Sequence, residues 1–234
     1  MKSDFNKSEI NVPQGHPVDH AHINNKWPVA KEGLPFILIS SLVTCILIWT
    51  GPIYLAICTG ILSLFIIYFF RDPERYHDAT GNAVLTPADG KIIEIRTLNN
   101  NQNPINQPAV KISIFMTIFN VHVNRSPIRG IIRNITYNPG NFFSANLDKA
   151  SQLNENNLML LEAMDGRKIA VIQIAGLIAR RIVCWVKKEE GVKAGQRFGL
   201  IRFGSRLEVF LPKDSKIIVK VGQKVKAGTT IIGY

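Results

Sequence analysis

Residues 195–212 read GQRFGLIRFGSRLEVFLP, with two strand-like runs on either side of the pentapeptide RFGSR at 202–206. Each run mixes apolar and polar residues and is bounded by glycine or proline, which is typical of β-strands. Glycine and serine are common turn residues, so the stretch predicts a strand, a turn and a second strand.

Similar runs occur on both sides of this stretch. Turns containing Asp-Gly or Asn-Pro-Gly separate them, and no long segment after residue 71 has a helical period. We therefore expect residues 72–234 to form a β-rich domain. The further runs are VLTPADGKIIEIRTL (84–98), VKISIFMTIFNVHV (110–123), IRGIIRNITYN (128–138), LMLLEAM (158–164), KIAVIQIAGLIARRIVCWV (168–186) and KIIVKV (216–221).

The tetrapeptide VKAG occurs twice in this domain, at Val192–Gly195 and at Val225–Gly228. Turns of the form V-x-A-G between short strands are common in sandwiched barrels of the lipoyl and biotinyl type, where the glycine relieves a tight corner. The repeat predicts two related β-hairpins packed together, so the expected fold is mostly β, with a sandwiched or barrel-like β domain.

The region before this domain has a different composition. No charged residue occurs from Gly33 to Phe70, where two apolar runs, FILISSLVTCILIWT and IYLAICTGILSLFIIYFF, flank Gly51-Pro52. A helix crosses the hydrocarbon of a bilayer with about 20 residues, and Gly-Pro favours a turn. Residues 33–71 are thus predicted to form a membrane-embedded helical hairpin, either as two short crossings or as a re-entrant loop.

The charges beside the hairpin predict its orientation. Lys26 and Lys31 precede it, and Arg71 and Arg75 follow it. Positive residues accumulate on the cytoplasmic side of membrane segments, so both ends of the hairpin are expected in the cytosol. We expect the protein in the cell membrane with its β domain facing the cytoplasm.

Residues 1–32 form a polar segment without sustained periodicity, and we expect a poorly ordered tail. His16, His20 and His22 have spacings that suit a metal, but a flexible histidine-containing tail is the favoured interpretation. Cys45, Cys58 and Cys184 make no C-x-x-C pair, so neither a disulfide framework nor a metal site is expected.

The formal net charge of +11 favours anionic partners, and nucleic acid and anionic lipid surfaces both qualify. The sequence contains no aromatic RNA-binding motif, zinc spacing or recognition helix. Together with the apolar hairpin, this predicts membrane lipids as partners and no nucleic acid.

The Gly204-Ser205 pair carries a specific chemical possibility. A glycine permits a left-handed backbone and lets a nucleophile approach its own carbonyl carbon. The Ser205 hydroxyl could then attack the Gly204 carbonyl in an N-to-O acyl shift, and elimination from the ester would leave a pyruvoyl group. By itself, however, a Gly-Ser pair is most often a simple turn.

Four sequence blocks together favour a functional Gly204-Ser205 pair over a simple turn. In chain order they are KEGLPFIL before the hairpin, YFFRDPER after it, LTPADGKI, and RFGLIRFGSRLEVFLP near the end. Along nearly its full length the chain resembles the short bacterial type of phosphatidylserine decarboxylase proenzyme. The resemblance implies self-cleavage between Gly204 and Ser205. Its products would be a large β chain, 1–204, and a small α chain, 205–234, which together form a heterodimer.

The resemblance also implies the enzymatic chemistry. A pyruvoyl group derived from Ser205 would form a Schiff base with the amine of phosphatidylserine and act as an electron sink while CO2 leaves. The product would be phosphatidylethanolamine. No separate cofactor is needed, and the sequence has neither a G-x-G-x-x-G nor a G-x-x-x-x-G-K-[ST] motif. The resemblance does not specify the lipid backbone of the substrate.

Two further residues are candidates for catalysis. The family has a functional aspartate in the motif that matches PADG here, which implies that Asp89 activates the self-cleavage. His122 titrates in the range of a general base, and near Asp89 a neutral imidazole would be a plausible base for Ser205. A longer branch of the family carries H-x-x-H, but Phe119 stands at the first position here, so only His122 can be carried over.

The remaining basic residues are interpreted mostly as a solvated face, with one or two that could bind the lipid phosphate. These basic residues are Arg125, Arg129, Arg133, Arg180, Arg181, Arg202 and Arg206.

A non-enzymatic alternative is a membrane-tethered, lipoyl-like adaptor, because Asp148-Lys149-Ala150 matches a D-K-A acceptor sequence.

Overall fold

The computed structural model of the chain describes residues 27–75, 81–99, 103–145, 150–177, 181–202 and 204–234. The predicted polar tail up to residue 26, with its three histidines, lies outside these ranges. So do Lys149 of the adaptor alternative, Arg180, and Phe203 beside the expected junction.

Two apolar helices follow the first described residues, α1 (Leu34–Thr50) and α2 (Ile53–Phe69). Gly51 and Pro52 both have extended backbone, which ends the first helix and begins the second. The helices lie side by side, with Thr44 Oγ1 and Ser63 Oγ 3.4 Å apart. They form the expected helical hairpin, although its placement in a membrane stays a prediction.

Most large apolar side chains of this hairpin are exposed, including Trp49 at 91% and Tyr54 at 77%. Among the described residues, one helical stretch, Lys31–Thr50, is long and apolar enough to cross a membrane, and Ile53–Phe69 is apolar but shorter. An exposed apolar surface of this extent is unusual for a soluble monomer and is typical of contact with lipid.

The rest of the described chain is mostly β, with one short helix, α3 (Ala150–Leu153). The prediction of a mostly β fold with an N-terminal helical part is confirmed. The strands are β1 (Val84–Leu85), β2 (Gly90–Leu98), β3 (Ala109–Met116), β4 (Val123–Arg125), β5 (Gly130–Asn138), β6 (Asn156–Ala163), β7 (Lys168–Ala175), β8 (Ile182–Cys184), β9 (Gly191–Val192), β10 (Arg197–Ile201), β11 (Ser205–Pro212), β12 (Lys224–Val225) and β13 (Ile231–Gly233).

The strands form one large antiparallel sheet and two small ones. The large sheet has eight strands in the order β12-β2-β3-β11-β7-β6-β5-β9, and the small sheets have the orders β4-β10-β8 and β1-β13. Strand β11 therefore lies in the interior of the large sheet. It pairs with β3 on one side and with β7 on the other, and the Ser205 partners are Met116 and Ala175.

The two VKAG repeats lie at opposite edges of this sheet, in β9 and β12 and the turns that follow them. Gly195 and Gly228 both have positive φ angles, 72° and 66°. A Cβ added to Gly228 would lie 3.4 Å from the Cα of Gly195, so the two turns are in contact. The edges of the sheet thus curl toward each other and the two repeats pack together, as predicted. The repeats do not form hairpins, because β9 pairs with β5 and β12 pairs with β2.

The curled sheet encloses the main hydrophobic core. Within β11, Leu207, Val209 and Leu211 point into this core, whereas Phe210 belongs to a second cluster with Ala170. Odd-numbered residues of β11 therefore face the main core, and even-numbered residues face the other side of the sheet, because successive side chains of a strand alternate.

The segment RDPER (Arg71–Arg75), here named the RDPER clasp, joins α2 to the β domain. Arg71 donates from Nη2 to the Phe119 carbonyl at 2.7 Å. Arg197 donates to Asp72 at 2.7 and 2.9 Å and to Glu74 at 2.7 Å. Asp72 is only 2% exposed and Arg197 5%, so this ion pair is largely removed from water, whereas Glu74 is half-exposed.

The buried position of the clasp predicts a large effect of removing one partner. We expect Asp72→Asn to lower the free energy of unfolding by about 3–5 kcal/mol, because it leaves buried guanidinium charge uncompensated. Chemical denaturation in detergent micelles measures this. The control is Glu162→Gln, which breaks the exposed pair with Arg133 and should cost about 1 kcal/mol or less. Equal effects of the two variants would contradict the role of the clasp.

Candidate active site

The Gly204-Ser205 junction lies at the first residue of β11. Ser205 is fully buried and faces the main core, where its Oγ is 3.3 Å from the Sδ of Met116. A thioether is a weak hydrogen-bond acceptor, so the hydroxyl is only loosely held. It is therefore available for another partner on rotation about its χ1 angle.

Gly204 has the left-handed conformation expected for this position, with φ at 70°. Its carbonyl oxygen lies against Gly176, just past the end of the neighbouring strand β7. A Cβ added to Gly176 would lie 2.3 Å from that oxygen and 3.3 Å from the Cβ of Ala145. Only a glycine at 176 leaves room for the carbonyl in this place.

His122 lies on the other side of the junction, and two contacts determine its tautomer. Its Nδ1 is 2.9 Å from the Asn120 carbonyl oxygen, which can only accept, so Nδ1 carries the proton and donates. Its Nε2 is then an acceptor, and the Gly204 backbone N–H donates to it at 3.4 Å. The imidazole presents its basic nitrogen to the junction.

The His122 ring is fully buried against the end of α2, with its centroid 4.3 Å from that of Phe69. Burial in these apolar surroundings, together with a smaller effect of the Arg71 charge, outweighs the opposing effects of the Asn120 hydrogen bond and the Asp89 charge and lowers the pKa of His122 to about 4. The imidazole is therefore neutral at physiological pH and able to take up a proton.

Asp89 is nearly buried, and its hydrogen bonds go to residues other than His122. Both of its oxygens accept from Arg75 of the RDPER clasp, and Oδ1 also accepts from the Ala227 backbone N–H at 2.7 Å. Among the described residues it makes no hydrogen bond to His122. Its charge still reaches the imidazole, where it favours the protonated form. The catalytic roles of Asp89, His122 and Ser205 stay predictions.

Sequence reasoning did not find the amides that line this part of the core. Gln173 donates to Asn124 Oδ1 at 2.8 Å and accepts from Asn157 at 3.0 Å. The Asn124 amide nitrogen is 3.9 Å from the same Met116 sulfur that contacts Ser205. In the sequence, Asn124 and Gln173 stand out only as amide residues inside apolar runs, NVHVN and VIQIA. Such a pattern does not show which residues the amides contact.

The interpretation of the arginines as solvated is wrong for two of them. Arg125 is 4% exposed and donates to the carbonyl oxygens of Gly195 and Pro73, and Arg206 is 1% exposed. Arg133 is solvated, as expected, and pairs with Glu162 and Glu189.

Phe119, which replaces the first histidine of the longer branch, lies at the base of the hairpin. Its side chain is 61% exposed and its ring is 6.4 Å from that of Phe65 in α2. This position brings the loop that carries His122 to the end of the apolar helices. Within the part of the chain that the structure describes, no group of three or more histidine, cysteine or acidic residues could hold a metal ion.

The chain is similar to known proteins of one family. The profile of the family Phosphatidylserine decarboxylase matches residues 62–233. A phosphatidylserine decarboxylase proenzyme of Syntrophus aciditrophicus is 51% identical over 88% of this chain and 96% of its own length. Proenzymes of the same name from Desulfotalea psychrophila and Magnetococcus marinus are 47% and 46% identical, over 88% of this chain and 96% and 94% of their own lengths.

The contact between Gly176 and the Gly204 carbonyl predicts the effect of one added methyl group. We expect Gly176→Ala to slow breakage of the Gly204–Ser205 bond by about tenfold or more, because the carbonyl must move from its place and a misplacement of reacting atoms by about 1 Å can cost about a hundredfold in rate. Gel electrophoresis during cell-free synthesis measures the appearance of two chains.

Gly191→Ala is the matched control, because a Cβ at Gly191 meets no atom within 4 Å. It should leave the cleavage rate unchanged. Cleavage of Gly176→Ala at the native rate would show that the carbonyl is not held by this contact.

The lowered pKa of His122 predicts a dependence of stability on pH. His122 titrates at about 4 in the fold and at 6.5 by its ordinary value, so the unfolded chain binds more protons between these limits. The free energy of unfolding should therefore fall as pH decreases from 6.5 to 4, with a contribution on the order of 3 kcal/mol from this residue. Above pH 6.5 the contribution is complete and constant.

Denaturation of the native chain and of His122→Gln at several pH values isolates this contribution, since other titrating groups cancel in the difference. We expect the variant to lose less stability than the native chain across this window. Parallel curves for the two proteins would rule out a buried neutral histidine.

Proposed function

The chain belongs to the phosphatidylserine decarboxylase family, and from that premise we propose that it cleaves itself between Gly204 and Ser205 and decarboxylates phosphatidylserine with the pyruvoyl group so formed. The observation that carries the proposal is the position of the junction. Gly204 has a positive φ angle, Ser205 begins a central strand, and the basic nitrogen of His122 is 3.4 Å from the Gly204 nitrogen.

Self-cleavage begins when the Ser205 hydroxyl rotates from Met116 toward the Gly204 carbonyl and loses its proton to His122 Nε2. The new Oγ–C bond forms, the C–N bond to Ser205 breaks, and the proton passes to the freed amine. The negative charge of Asp89 stabilises the imidazolium that exists between these steps, as its effect on the pKa of His122 supports.

The resulting ester then breaks by elimination. The Ser205 Cα loses a proton, the Cβ–Oγ bond breaks, and Gly204 leaves as a carboxylate. One water molecule is consumed and one ammonia is released as the residue on the small chain becomes a pyruvoyl group. Overall, the backbone nitrogen of Ser205 is replaced by a carbonyl oxygen that comes from water, and one backbone bond is broken. No external oxidant or reductant is needed.

The surroundings of Ser205 fit such a group. The side chain is fully buried among Met116 and the strands on either side, so bulk water is excluded from a reactive carbonyl there. When formed, the pyruvoyl group supplies an electrophile for the substrate amine and withdraws electrons from the carbon that loses CO2. His122, neutral at physiological pH, can accept a proton from the incoming ammonium at Nε2.

Two chains produced by this cleavage would remain together. The small chain, residues 205–234, contributes β11 to the interior of the large sheet, β12 to its edge beside β2, and β13 as the partner of β1. The side chains Leu207, Val209 and Leu211 are part of the main core. These contacts support a heterodimer that depends on no covalent link.

The position of the site beside the hairpin supports a lipid substrate. The His122 ring contacts Phe69 at the end of α2, so if the hairpin is embedded as proposed, the candidate residues would lie where the helices leave the membrane. A phospholipid head group lies at this depth. With Lys31 before the hairpin and Arg71 after it, the β domain would face the cytoplasm.

Intact mass spectrometry of the native chain and of Ser205→Ala tests the proposal. The native sample should contain two chains, 1–204 and a small chain that begins with a pyruvoyl group, whereas Ser205→Ala should stay whole. Ser215→Ala, a change in a turn of the same small chain, should be cleaved like the native protein. A native sample that is folded in membranes yet remains one chain would disprove self-cleavage at this position.

A further inference from the structure

Arg202 directly follows β10, and its side chain lies at the base of the hairpin. Its guanidinium carbon is 5.3 Å from the ring centroid of Phe36 in α1, within the distance at which an aromatic ring attracts a cation. Phe36 stacks on Phe70, with 5.8 Å between the ring centroids. Phe70 packs edge-on against Phe69, whose ring contacts His122. A continuous row of aromatic contacts therefore joins the Arg202 guanidinium to the His122 imidazole.

The Arg202 guanidinium has a hydrogen-bond donor that the protein leaves unused. Its Nε is buried and has no hydrogen-bond partner in the part of the chain that the structure describes. A buried donor without an acceptor loses its hydration and gains nothing in return, so such groups are rare in folded proteins. The residue as a whole is half-buried, so part of it is accessible to a ligand. An oxyanion at this place would supply the missing acceptor.

A second guanidinium, that of Arg181, lies close to Arg202. The Arg202 backbone N–H donates to the Arg181 carbonyl oxygen at 3.2 Å. Burial and, after it, the Arg181 charge lower the pKa of Arg202, against the opposing effect of the Glu32 charge. Glu32 also accepts from Trp185 Nε1 at 2.8 Å. Two positive charges beside one negative charge leave an excess of positive charge, which favours an anion.

An apolar groove of about 280 Å³ lies between α1 and α2 and reaches the same aromatic ring. Side chains of both helices line it, with Phe36 and Ile66 at the end nearest the β domain. A phosphate bound at Arg202 therefore has an apolar surface beside it, on which a hydrocarbon chain can lie. This arrangement of charge and apolar surface suits a phospholipid better than free phosphate.

We propose that Arg202, together with Arg181, binds the phosphodiester of the phosphatidylserine substrate. This inference rests on the proposed function. A guanidinium presents parallel N–H groups that match two oxygens of a phosphate. The three positions from Arg202 to Ser205 span at most roughly 11 Å, which the long arginine side chain and the phosphoserine head group can cover together. Arg202 is thus a substrate-binding residue that places the substrate amine at the pyruvoyl group.

Steady-state kinetics of the cleaved protein in detergent micelles test this, with phosphatidylserine as substrate and CO2 release as the measurement. We expect Arg202→Gln to raise KM by about tenfold or more and to change kcat little, because it removes hydrogen bonds to a charged group that substrate and transition state share. Arg202→Lys keeps the charge and should raise KM less. An unchanged KM in Arg202→Gln overturns the proposal, including the case in which the two arginines bind inorganic phosphate instead of lipid.

Two controls separate loss of phosphate binding from other effects of the substitution. Hydroxylamine condenses with a pyruvoyl carbonyl and carries no phosphate, so the mass of the small chain should change at the same rate in Arg202→Gln and in the native protein. A slower change in the variant would assign Arg202 a structural role and overturn the proposal. Arg133→Gln removes the same charge at an exposed ion pair and should keep the native KM. An equal rise of KM in Arg133→Gln would show an effect of net charge alone, and it also overturns the proposal.

Arg181→Gln tests the same site without disturbing a buried group, because Arg181 is exposed. We expect this variant to raise KM by about threefold, as the loss of an exposed charge interaction does, with kcat unchanged. A native KM in Arg181→Gln overturns the two-arginine site, whether or not Arg202→Gln folds.

The outcomes separate this inference from the function on which it rests. A native sample that remains a single chain, or that releases no CO2 from phosphatidylserine, contradicts the proposed function. A native sample that is cleaved and releases CO2, beside arginine variants with the native KM, overturns only the binding of the phosphodiester by Arg202 and Arg181.

Discussion

The pairing of β11 along both of its edges is the constraint on which the rest of this protein depends. The strand is bonded to β3 from Ser205 to Pro212 and to β7 from Ser205 to Phe210. A break in the backbone at its first residue removes one covalent bond and leaves both ladders intact. Ser205, for which we propose the chemistry, is held by the sheet from both sides, so the same fold would serve the intact chain and the two chains of the proposed cleavage.

The RDPER clasp couples this sheet to the apolar helices. Asp72 and Glu74 bind Arg197 at the start of β10, and Arg71 binds the loop that carries His122. Because the first of these pairs is buried, its geometry is tightly specified and loss of one partner is costly, whereas exposed pairs such as Arg133 with Glu162 contribute little. The clasp holds the start of β10 and the loop that carries His122 at the end of α2.

Local patterns were sufficient for much of this arrangement. The apolar stretch broken by Gly51-Pro52 predicted two helices, and alternating runs predicted the strands. The repeated VKAG predicted two packed hairpins, of which the structure has the packing of the two turns but not the hairpins. The junction was recognised from its residue types and from its resemblance to a family. The solvated interpretation did not hold for Arg125 and Arg206, because acceptors from other parts of the chain contact each buried guanidinium, and sequence does not show which segments are neighbours. Arg125 donates to the carbonyls of Gly195 and Pro73, and Arg206 contacts Glu94 of β2.

The sequence by itself therefore determined the fold class and the apolar hairpin, since these follow from residue type and from periods of a few positions, and with the family resemblance it named candidate residues for the proposed reaction. The tertiary structure decided which of them meet. His122 turns its Nδ1 to Asn120 and its Nε2 to Gly204, Asp89 binds Arg75, and Gly176 makes room for the Gly204 carbonyl. These contacts join residues from 2 to 82 positions apart, and only the order and curvature of the strands bring such residues within bonding distance.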